Sequence, residues 1–146
     1  MQTKIRPASS DDIESIVEIE NSTNLMPWTK AQFISSMEVG HYSTVLEHAE
    51  TIIGFAIYSP IIPESHLLNI AIDPAYHRKG LSYKLLKQFI LQNKSVGVKI
   101  INLEVRVSNL FAINLYKKNG FYKDAIRQDY YSKPEKEDAL LMSLII

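Results

Sequence analysis

The chain has 146 residues, of which 46% are hydrophobic and 22% charged, and these proportions exclude a disordered chain and favour a single domain over residues 1–146. The absence of cysteine excludes disulfides, thiolate metal sites and cysteine nucleophiles, and it suits the reducing cytoplasm, where we expect the protein to reside. The net charge of zero argues against nucleic-acid binding, and apolar stretches too short to span a bilayer argue against a membrane protein.

Charge is distributed unevenly along the chain. Residues 1–50 carry three cationic and eight acidic side chains, whereas residues 74–103 carry six cationic and no acidic ones. Solvated helix faces would produce such a pattern. A phosphate-bearing ligand near Arg78, together with a basic substrate near the acidic half, would produce it as well. The charge pattern alone leaves both interpretations open.

The hydrophobic spacing predicts strands and helices in the order β-α-α-β-β-β-α-β-α-β-β. The first strand is Lys4–Pro7, Ser10 caps the first helix, and Thr29 caps a second helix that runs through Met37. The next strands are Tyr42–Glu47, Thr51–Ser59 and His66–Ile72; a long helix lies between Gly80 and Gly97; Lys99–Val107 is a strand; Ser108 and Asn109 start a helix that ends at Gly120; Phe121–Tyr131 and Glu137–Ile145 are the closing strands. This order predicts an α/β fold with a mixed sheet and helices on its faces.

Most sequence signatures of catalysis are absent. The chain has no G-x-S-x-G nucleophile elbow, no P-loop, no G-x-G-x-x-G fingerprint and no H-E-x-x-H motif. Its four histidines, His41, His48, His66 and His77, lack the spacing of metal ligands. We therefore expect no metal site.

An apolar strand ending at Ile72 runs into a cationic turn, which contains Arg78, Lys79 and Gly80 and leads into the long helix. The first N–H groups of a helix have no partners within the helix, and the helix dipole is positive there, so this end can bind an anion. Gly80 permits a phosphate to approach the backbone closely. An ordinary helix start with surface cations would have the same sequence, so both interpretations stay open here.

The strand that follows the long helix carries a carboxylate in its middle. Alternation places Leu103 and Val105 on one face and Glu104 and Arg106 on the other. A mid-strand carboxylate requires a reason, which can be either chemistry or an ion pair with Arg106 or another cation. Asn109 and Tyr116, which follow this strand, also have simple structural explanations. Asn109 can be a helix cap and Tyr116 a half-buried core aromatic.

Together these stretches resemble the GNAT acetyltransferase superfamily, and within it the ribosomal-protein-alanine N-acetyltransferases of the RimI type. The resemblance covers essentially the whole chain. It is carried by Asn69-Ile70-Ala71-Ile72, Arg78-x-Gly80-x-Ser82, Leu103-Glu104-Val105-Arg106, Ser108-Asn109-x-x-Ala112-x-x-Leu115-Tyr116-x-x-x-Gly120-Phe121, Pro27-Trp28-Thr29, Tyr130-Tyr131 and Glu137-Asp138-Ala139.

The resemblance implies a central mixed, twisted sheet of about six to seven strands with helices on both faces. It also implies that acetyl-CoA, the acetyl donor, lies in a cleft between two splayed central strands, here Ile70–Ile72 and Ile101–Val105. The implied cofactor-binding residues are the main chain of Ile70, Ala71 and Ile72, the pyrophosphate turn Arg78, Lys79, Gly80, Leu81, Ser82 and Tyr83, and Asn109.

The sequence departs from the family pattern within this turn. Related sequences favour Gln or Arg three residues before the glycine and Gly or Ala two residues after it, whereas this chain has His77 and Ser82 there. Serine narrows the approach to the backbone, but its hydroxyl can donate a hydrogen bond to a phosphate. The departure therefore concerns the affinity for the cofactor more than its identity.

By the same resemblance, Glu104 matches the general base and Tyr116 the general acid of a direct acetyl transfer to an amine. An α-amino group has a pKa near 7.7–8.0 and a lysine near 10.4, a difference of about 2.5 units or roughly 3.4 kcal/mol. A single carboxylate base can therefore deprotonate an α-amine more easily than a lysine.

The expected substrate is the N-terminal alanine of the small-subunit ribosomal protein eighteen, a basic protein. Candidate substrate-binding residues are Trp28, Glu20, Glu64, Tyr130 and Tyr131. Two alternatives remain: acetylation of a small amine such as a polyamine or an antibiotic, and a non-catalytic acyl-CoA-binding module. A base paired with an acid disfavours the second alternative, because binding alone requires neither.

Overall fold

The strands and helices follow the predicted order in the computed structural model, which describes all 146 residues. The strands are β1 (Lys4–Pro7), β2 (Tyr42–His48), β3 (Thr51–Ile61), β4 (Glu64–Ile72), β5 (Ile100–Arg106), β6 (Tyr122–Tyr131) and β7 (Glu137–Ile145). The helices are α1 (Ile13–Thr23), α2 (Lys30–Glu38), α3 (Leu81–Ser95) and α4 (Leu110–Lys118), and single 3₁₀ turns lie at Ser10–Asp12 and Pro74–Tyr76. None of these helices combines the length and the apolar character that crossing a membrane requires.

The strands form one seven-stranded sheet in the order β1-β2-β3-β4-β5-β7-β6. Strand β4 is parallel to β5, whereas the pairs β1–β2, β2–β3, β5–β7 and β6–β7 are antiparallel, which confirms the predicted mixed sheet. In the parallel pair, Glu64–His66 lie opposite Ile100–Asn102. Strand β4 continues from there to Ile72, and β5 continues to Arg106.

The helix starts follow the capping rules, with one shift. Thr29 accepts a hydrogen bond from the backbone of Gln32, and Asn109 accepts one from Ala112, so both predicted caps are confirmed. The prediction for the first helix is wrong, because Ser10 lies within the 3₁₀ turn and Ser9 is the residue that precedes it. The Ser9 N–H donates to the carboxylate of Asp12 over 2.8 Å, which begins the turn one residue earlier.

The chain forms two compact units. The first comprises residues 1–59 and 67–89, and it is built around apolar residues of α1, α2 and β3 such as Ile16, Phe33 and Phe55. The rings of Phe33 and Phe55 meet edge to face at 5.8 Å. The predicted apolar stripe of α3 is buried in this unit at Leu85 and Phe89. Burying one such side chain contributes about 1.5–3 kcal/mol.

The second unit comprises residues 60–66 and 90–146. Strands β5 and β7 supply most of its buried apolar side chains, including Ile101, Leu103 and Met142. Ile113 of α4 and Phe121 after it are buried as well. That residues 1–146 make one domain stays a prediction.

Candidate active site

Strand β5 presents Glu104 through its alternation. Leu103 and Val105 are buried, whereas Glu104 and Arg106 are half-buried on the opposite face. The antiparallel register with β7, in which Glu104 lies opposite Leu141, holds this alternation in place. The carboxylate is therefore kept out of the apolar core and available on the other face of the sheet.

Glu104 is hydrogen-bonded to a histidine that the sequence analysis left without a role. Its Oε2 contacts Nε2 of His66, and the two side chains are 19% and 39% exposed, respectively. The hydrogen bond to Glu104 raises the pKa of His66 above its ordinary value, against the opposing effect of burial. His66 pairs with Asn102 across the parallel strands, which places it diagonally opposite Glu104. Only the strand register brings the two together, since they are 38 residues apart in sequence.

Arg106 has a different acidic partner. Its Nη1 lies 3.2 Å from Oε1 of Glu137, its Nη2 donates to the carbonyl of Lys133 over 2.6 Å, and its guanidinium stacks over the ring of Tyr131 at 4.1 Å. Glu137 also accepts the N–H of Ser108, and hydrogen bonds from Ser108 and Arg106 keep its pKa below the ordinary range. The ion pair between Glu104 and Arg106 that the sequence allowed is not formed, and the side-chain partner of Glu104 is His66.

Tyr116 lies in the core of the second unit. It is 7% exposed, and its ring packs against Phe121 with centroids 5.6 Å apart. Burial, and secondarily the neighbouring Tyr131, raise its pKa well above that of a free tyrosine. Tyr116 therefore keeps its proton over the whole neutral range, and its hydroxyl retains a proton that it can donate.

The tyrosine pair near the end of β6 adjoins these groups. Tyr131 is half-buried, which raises its pKa to about 12 although Arg106 opposes the shift, and it interacts electrostatically with Tyr116 and Glu104. Tyr130 is exposed and meets Tyr131 edge to face at 5.0 Å. Tyr131 thus lies in the same electrostatic neighbourhood as the proposed acid and base.

The turn before α3 has an unusual and open backbone. Arg78 and Gly80 both adopt positive φ angles, of 63° and 72°, and a side chain at Gly80 would meet no atom within 4 Å. Arg78 and Lys79 are exposed. The open space over Gly80, the two cations and the start of α3, where the helix dipole is positive, fit a phosphate group. Leu81 is buried and anchors the start of the helix, with Ser82 and Tyr83 half-buried behind it.

His77, where the sequence departs from the family pattern, has a structural role. Its Nε2–H donates to the carbonyl of Ile72 over 2.6 Å, which ties the turn to the end of β4. In β4 itself, Ile70 and Ala71 are half-buried and Ile72 is buried. A Cβ on Gly54 of β3 would lie 3.1 Å from the carbonyl oxygen of Ala71 and 2.6 Å from Ile72, so glycine is needed for this close packing.

A buried glutamate of α1 positions the loop between α1 and α2. Glu20 is fully buried. Its Oε2 accepts hydrogen bonds from the backbone N–H of Trp28 and from the side chain of Asn24, each with a length of 3.0 Å. Trp28 is half-buried and its ring lies 5.1 Å from that of Phe33. Glu20 therefore holds the loop between α1 and α2, and a role for it in substrate binding would act through Trp28.

The structure divides the remaining predicted site residues between the two units. Glu104, Tyr116, Tyr130 and Tyr131 belong to the second unit with the exposed Glu64, and Asn109 is an exposed cap there. The turn before α3, Glu20 and Trp28 belong to the first unit. No group of three or more histidine, aspartate or glutamate side chains is arranged to hold a metal ion.

Comparison with known proteins supports an assignment to a family. Residues 13–121 match the acetyltransferase (GNAT) family. A [ribosomal protein bS18]-alanine N-acetyltransferase of Haemophilus influenzae is 39% identical over 134 residues, which cover 90% of this chain and 91% of the relative.

Solved structures agree. The crystal structure of the ribosomal-protein-S18-alanine N-acetyltransferase from Escherichia coli superimposes with a TM-score of 0.93 at 34% identity, covering 99% of this chain and 94% of that one. A GNAT family acetyltransferase from Elizabethkingia anophelis, solved with acetyl-CoA bound, shares the fold with a TM-score of 0.81 at 19% identity, covering 99% of this chain and 98% of that one. The chain therefore belongs to the GNAT family and is an N-acetyltransferase.

Proposed function

We propose that the protein transfers the acetyl group of acetyl-CoA to the N-terminal alanine of a basic ribosomal protein, the homologue of bS18. The observation that carries this proposal is the similarity, over nearly the whole length of both chains, to enzymes named for that reaction. The excess of acidic over cationic side chains in the first 50 residues, eight against three, supports a cationic substrate.

The turn before α3 is the proposed site for the pyrophosphate of acetyl-CoA. The residues that would hold it are Arg78, Lys79, Gly80, Leu81, Ser82 and Tyr83, with main-chain groups of Ile70, Ala71 and Ile72 along the pantetheine arm and Asn109 as a further contact. The open backbone at Gly80 and the two exposed cations support this assignment. When bound, acetyl-CoA supplies the acetyl group as a thioester.

Glu104 and Tyr116 are the proposed base and acid. The α-ammonium of a peptide must lose a proton before its nitrogen can attack a carbonyl, and the carboxylate of Glu104, directly or through a water molecule, is in the role of acceptor. The phenol of Tyr116, which burial keeps protonated, is in the role of donor to the departing sulfur. No nucleophile of the protein is needed for this direct transfer.

The proposed peptide side consists of Trp28, Glu20, Glu64, Tyr130 and Tyr131. Glu64 and Tyr130 are exposed and could contact a substrate directly. Trp28 and Tyr131 present half-buried rings that combine packing with an accessible edge. Glu20 would act by holding the backbone of Trp28.

The reaction is tested with a peptide that begins with a free alanine followed by basic residues. We expect one acetyl group to be added at the α-amine, as measured by intact mass and fragment ions. The same peptide with a blocked N-terminus serves as the control and should stay unmodified. Acetylation of spermidine without acetylation of the free peptide would contradict the proposal and assign the enzyme to small amines.

Replacing the proposed base should slow the reaction without unfolding the protein. We expect Glu104→Gln to lower kcat/KM about 10²–10⁴-fold, because the amide cannot accept the proton but retains the shape of the side chain. Steady-state kinetics with the alanine peptide measure the effect. Glu18→Gln, at an exposed position of α1, is the matched control and should behave as wild type. An unchanged rate and pH profile in Glu104→Gln would exclude Glu104 as the base.

Removing one oxygen from Tyr116 separates its chemical role from its packing role. We expect Tyr116→Phe to keep the ring in the core and to lower kcat about 10²–10⁴-fold, as for a lost general acid. Tyr58→Phe is the matched control, since Tyr58 is also buried and its pKa is also raised, to about 12. If kcat is normal in Tyr116→Phe, Tyr116 is a core residue only.

Neutralising the turn before α3 should weaken cofactor binding. We expect Arg78→Gln with Lys79→Gln to raise KM for acetyl-CoA about tenfold or more, because charge-assisted hydrogen bonds to phosphate are lost, with a smaller effect on kcat. Lys94→Gln, at the exposed far end of α3, controls for the loss of charge. Equal KM values in the double variant and the wild type would rule out the turn as the pyrophosphate site.

A further inference from the structure

The hydrogen bond between His66 and Glu104 couples the proposed base to a second titratable group. His66 is the last residue of β4 that pairs with β5, so the parallel register holds its position relative to Glu104. The imidazole is the more accessible member of the pair, 39% exposed against 19% for Glu104. Nε2 is the nitrogen committed to the carboxylate. A neutral imidazole that donates from Nε2 has its basic lone pair on Nδ1.

A lone carboxylate is poorly matched to the proposed reaction. An ordinary glutamate has a pKa near 4.3, whereas a peptide α-ammonium has one near 7.7–8.0. Proton transfer between them is unfavourable by about 3.5 units, or about three thousandfold. The pKa of an ordinary imidazole is near 6.5, which is much closer to that of the α-ammonium. A general base also works best when its pKa is near the working pH.

We infer that the base is a two-residue unit in which His66 receives the proton and Glu104 orients the imidazole and stabilises its charge. The inference rests on the proposed function and refines one part of it: His66, and not the Glu104 carboxylate, is the first acceptor of the proton, and Glu104 acts through His66. In the proton-transfer step, the proton leaves the substrate ammonium for Nδ1 of His66, directly or through water, while Nε2–H stays donated to the ionised Glu104. The freed nitrogen then forms its bond to the acetyl carbon as the bond from that carbon to sulfur breaks. The sulfur takes its proton from Tyr116, and the second proton of the attacking nitrogen returns to Tyr116 through water as the amide forms. The imidazolium releases its own proton to solvent.

The surroundings of the pair leave Glu104 as the group that governs His66. On the strands of the pair itself, Glu64 lies two residues from His66 and Arg106 two residues from Glu104. On the neighbouring strands, Tyr131 of β6 interacts electrostatically with Glu104 and with Glu137 of β7, and Asp124 of β6 is linked through Ser143 to Asn102, the residue opposite His66. Arg106 is engaged by Glu137, and Asp124 is bonded to the hydroxyl of Ser143. The hydrogen bond to Glu104 is the largest cause of the raised pKa of His66. Activity that requires neutral Nδ1 is therefore present above that raised pKa and is lost as the pH falls through it.

The test compares His66→Gln, Glu104→Gln and the double variant, with kcat measured between about pH 5.5 and 9 on the alanine peptide. Glutamine can still donate to Glu104 but has no site for the proton. We expect His66→Gln to lower kcat about 10²–10⁴-fold, to abolish the acid limb above pH 6.5, and to add little to the loss caused by Glu104→Gln. His48→Gln is the matched control, because His48 is a half-buried histidine of β2 outside the site.

A second measurement does not depend on activity. The Cε1–H resonance of His66 reports its titration by NMR in the wild type and in Glu104→Gln. We expect a pKa above 6.5 in the wild type and a lower value once the carboxylate is removed. This comparison decides the coupling even if His66→Gln does not fold.

The outcomes separate the two proposals. If the wild type acetylates the peptide and His66→Gln has the same rate and pH profile, the role of His66 is overturned while the proposed function stands. The same conclusion follows if the titration of His66 is unaltered in Glu104→Gln. If the wild type does not acetylate the peptide, the proposed function fails, and the role of His66 fails with it.

Discussion

The candidate site depends on the register of β5, which is set by the burial of one face of that strand. Leu103 and Val105 are buried in the core, and the antiparallel pairing with β7 places each residue of β5 opposite one residue of β7. A slip of one residue would move Glu104 into the core and expose both apolar neighbours. Burying an unpaired carboxylate is strongly unfavourable, so the packing of the core keeps Glu104 on the other face of the sheet.

Glu104 and Arg106 lie on the same face of β5 but have different partners. Arg106 lies two residues from Glu104 on the same face, but its guanidinium is held by Glu137, the carbonyl of Lys133 and the ring of Tyr131. An arginine paired with Glu104 would hold that carboxylate permanently in a charge-assisted hydrogen bond, because arginine does not release its proton. Histidine can change its charge near neutral pH. The partner of Glu104 is therefore a side chain whose charge can change near neutral pH.

One acidic side chain of the first 50 residues is buried in the folded protein and does not contribute to the surface charge. Glu20 contributes to the negative charge counted in the sequence, but its carboxylate is buried and bonded to Asn24 and the backbone of Trp28. Under the proposed function, electrostatic attraction of a basic substrate would come from exposed acids, including Glu64 outside this stretch. Glu20 instead orders the loop that presents Trp28, so charge and shape are contributed by different residues.

Features that depend on short stretches of chain could be predicted from the residues alone. Alternation predicted which side of β5 carries Glu104, capping residues predicted the starts of α2 and α4, and the cationic glycine turn predicted the start of α3. These follow from local geometry, which the period of a strand or the first turn of a helix imposes on its own residues. The Ser9 start was missed because it depends on the carboxylate of Asp12, which Arg6 holds from a neighbouring strand.

Which groups share a site depends on how distant segments pack in the folded chain. His66 has no sequence signal for a role beside Glu104, because the contact depends on the parallel register of two strands separated by a helix. The choice of Glu137 for Arg106 and the burial of Glu20 likewise depend on packing between distant segments. Pairings of this kind are determined by which strands become neighbours, and a one-dimensional pattern does not contain that information.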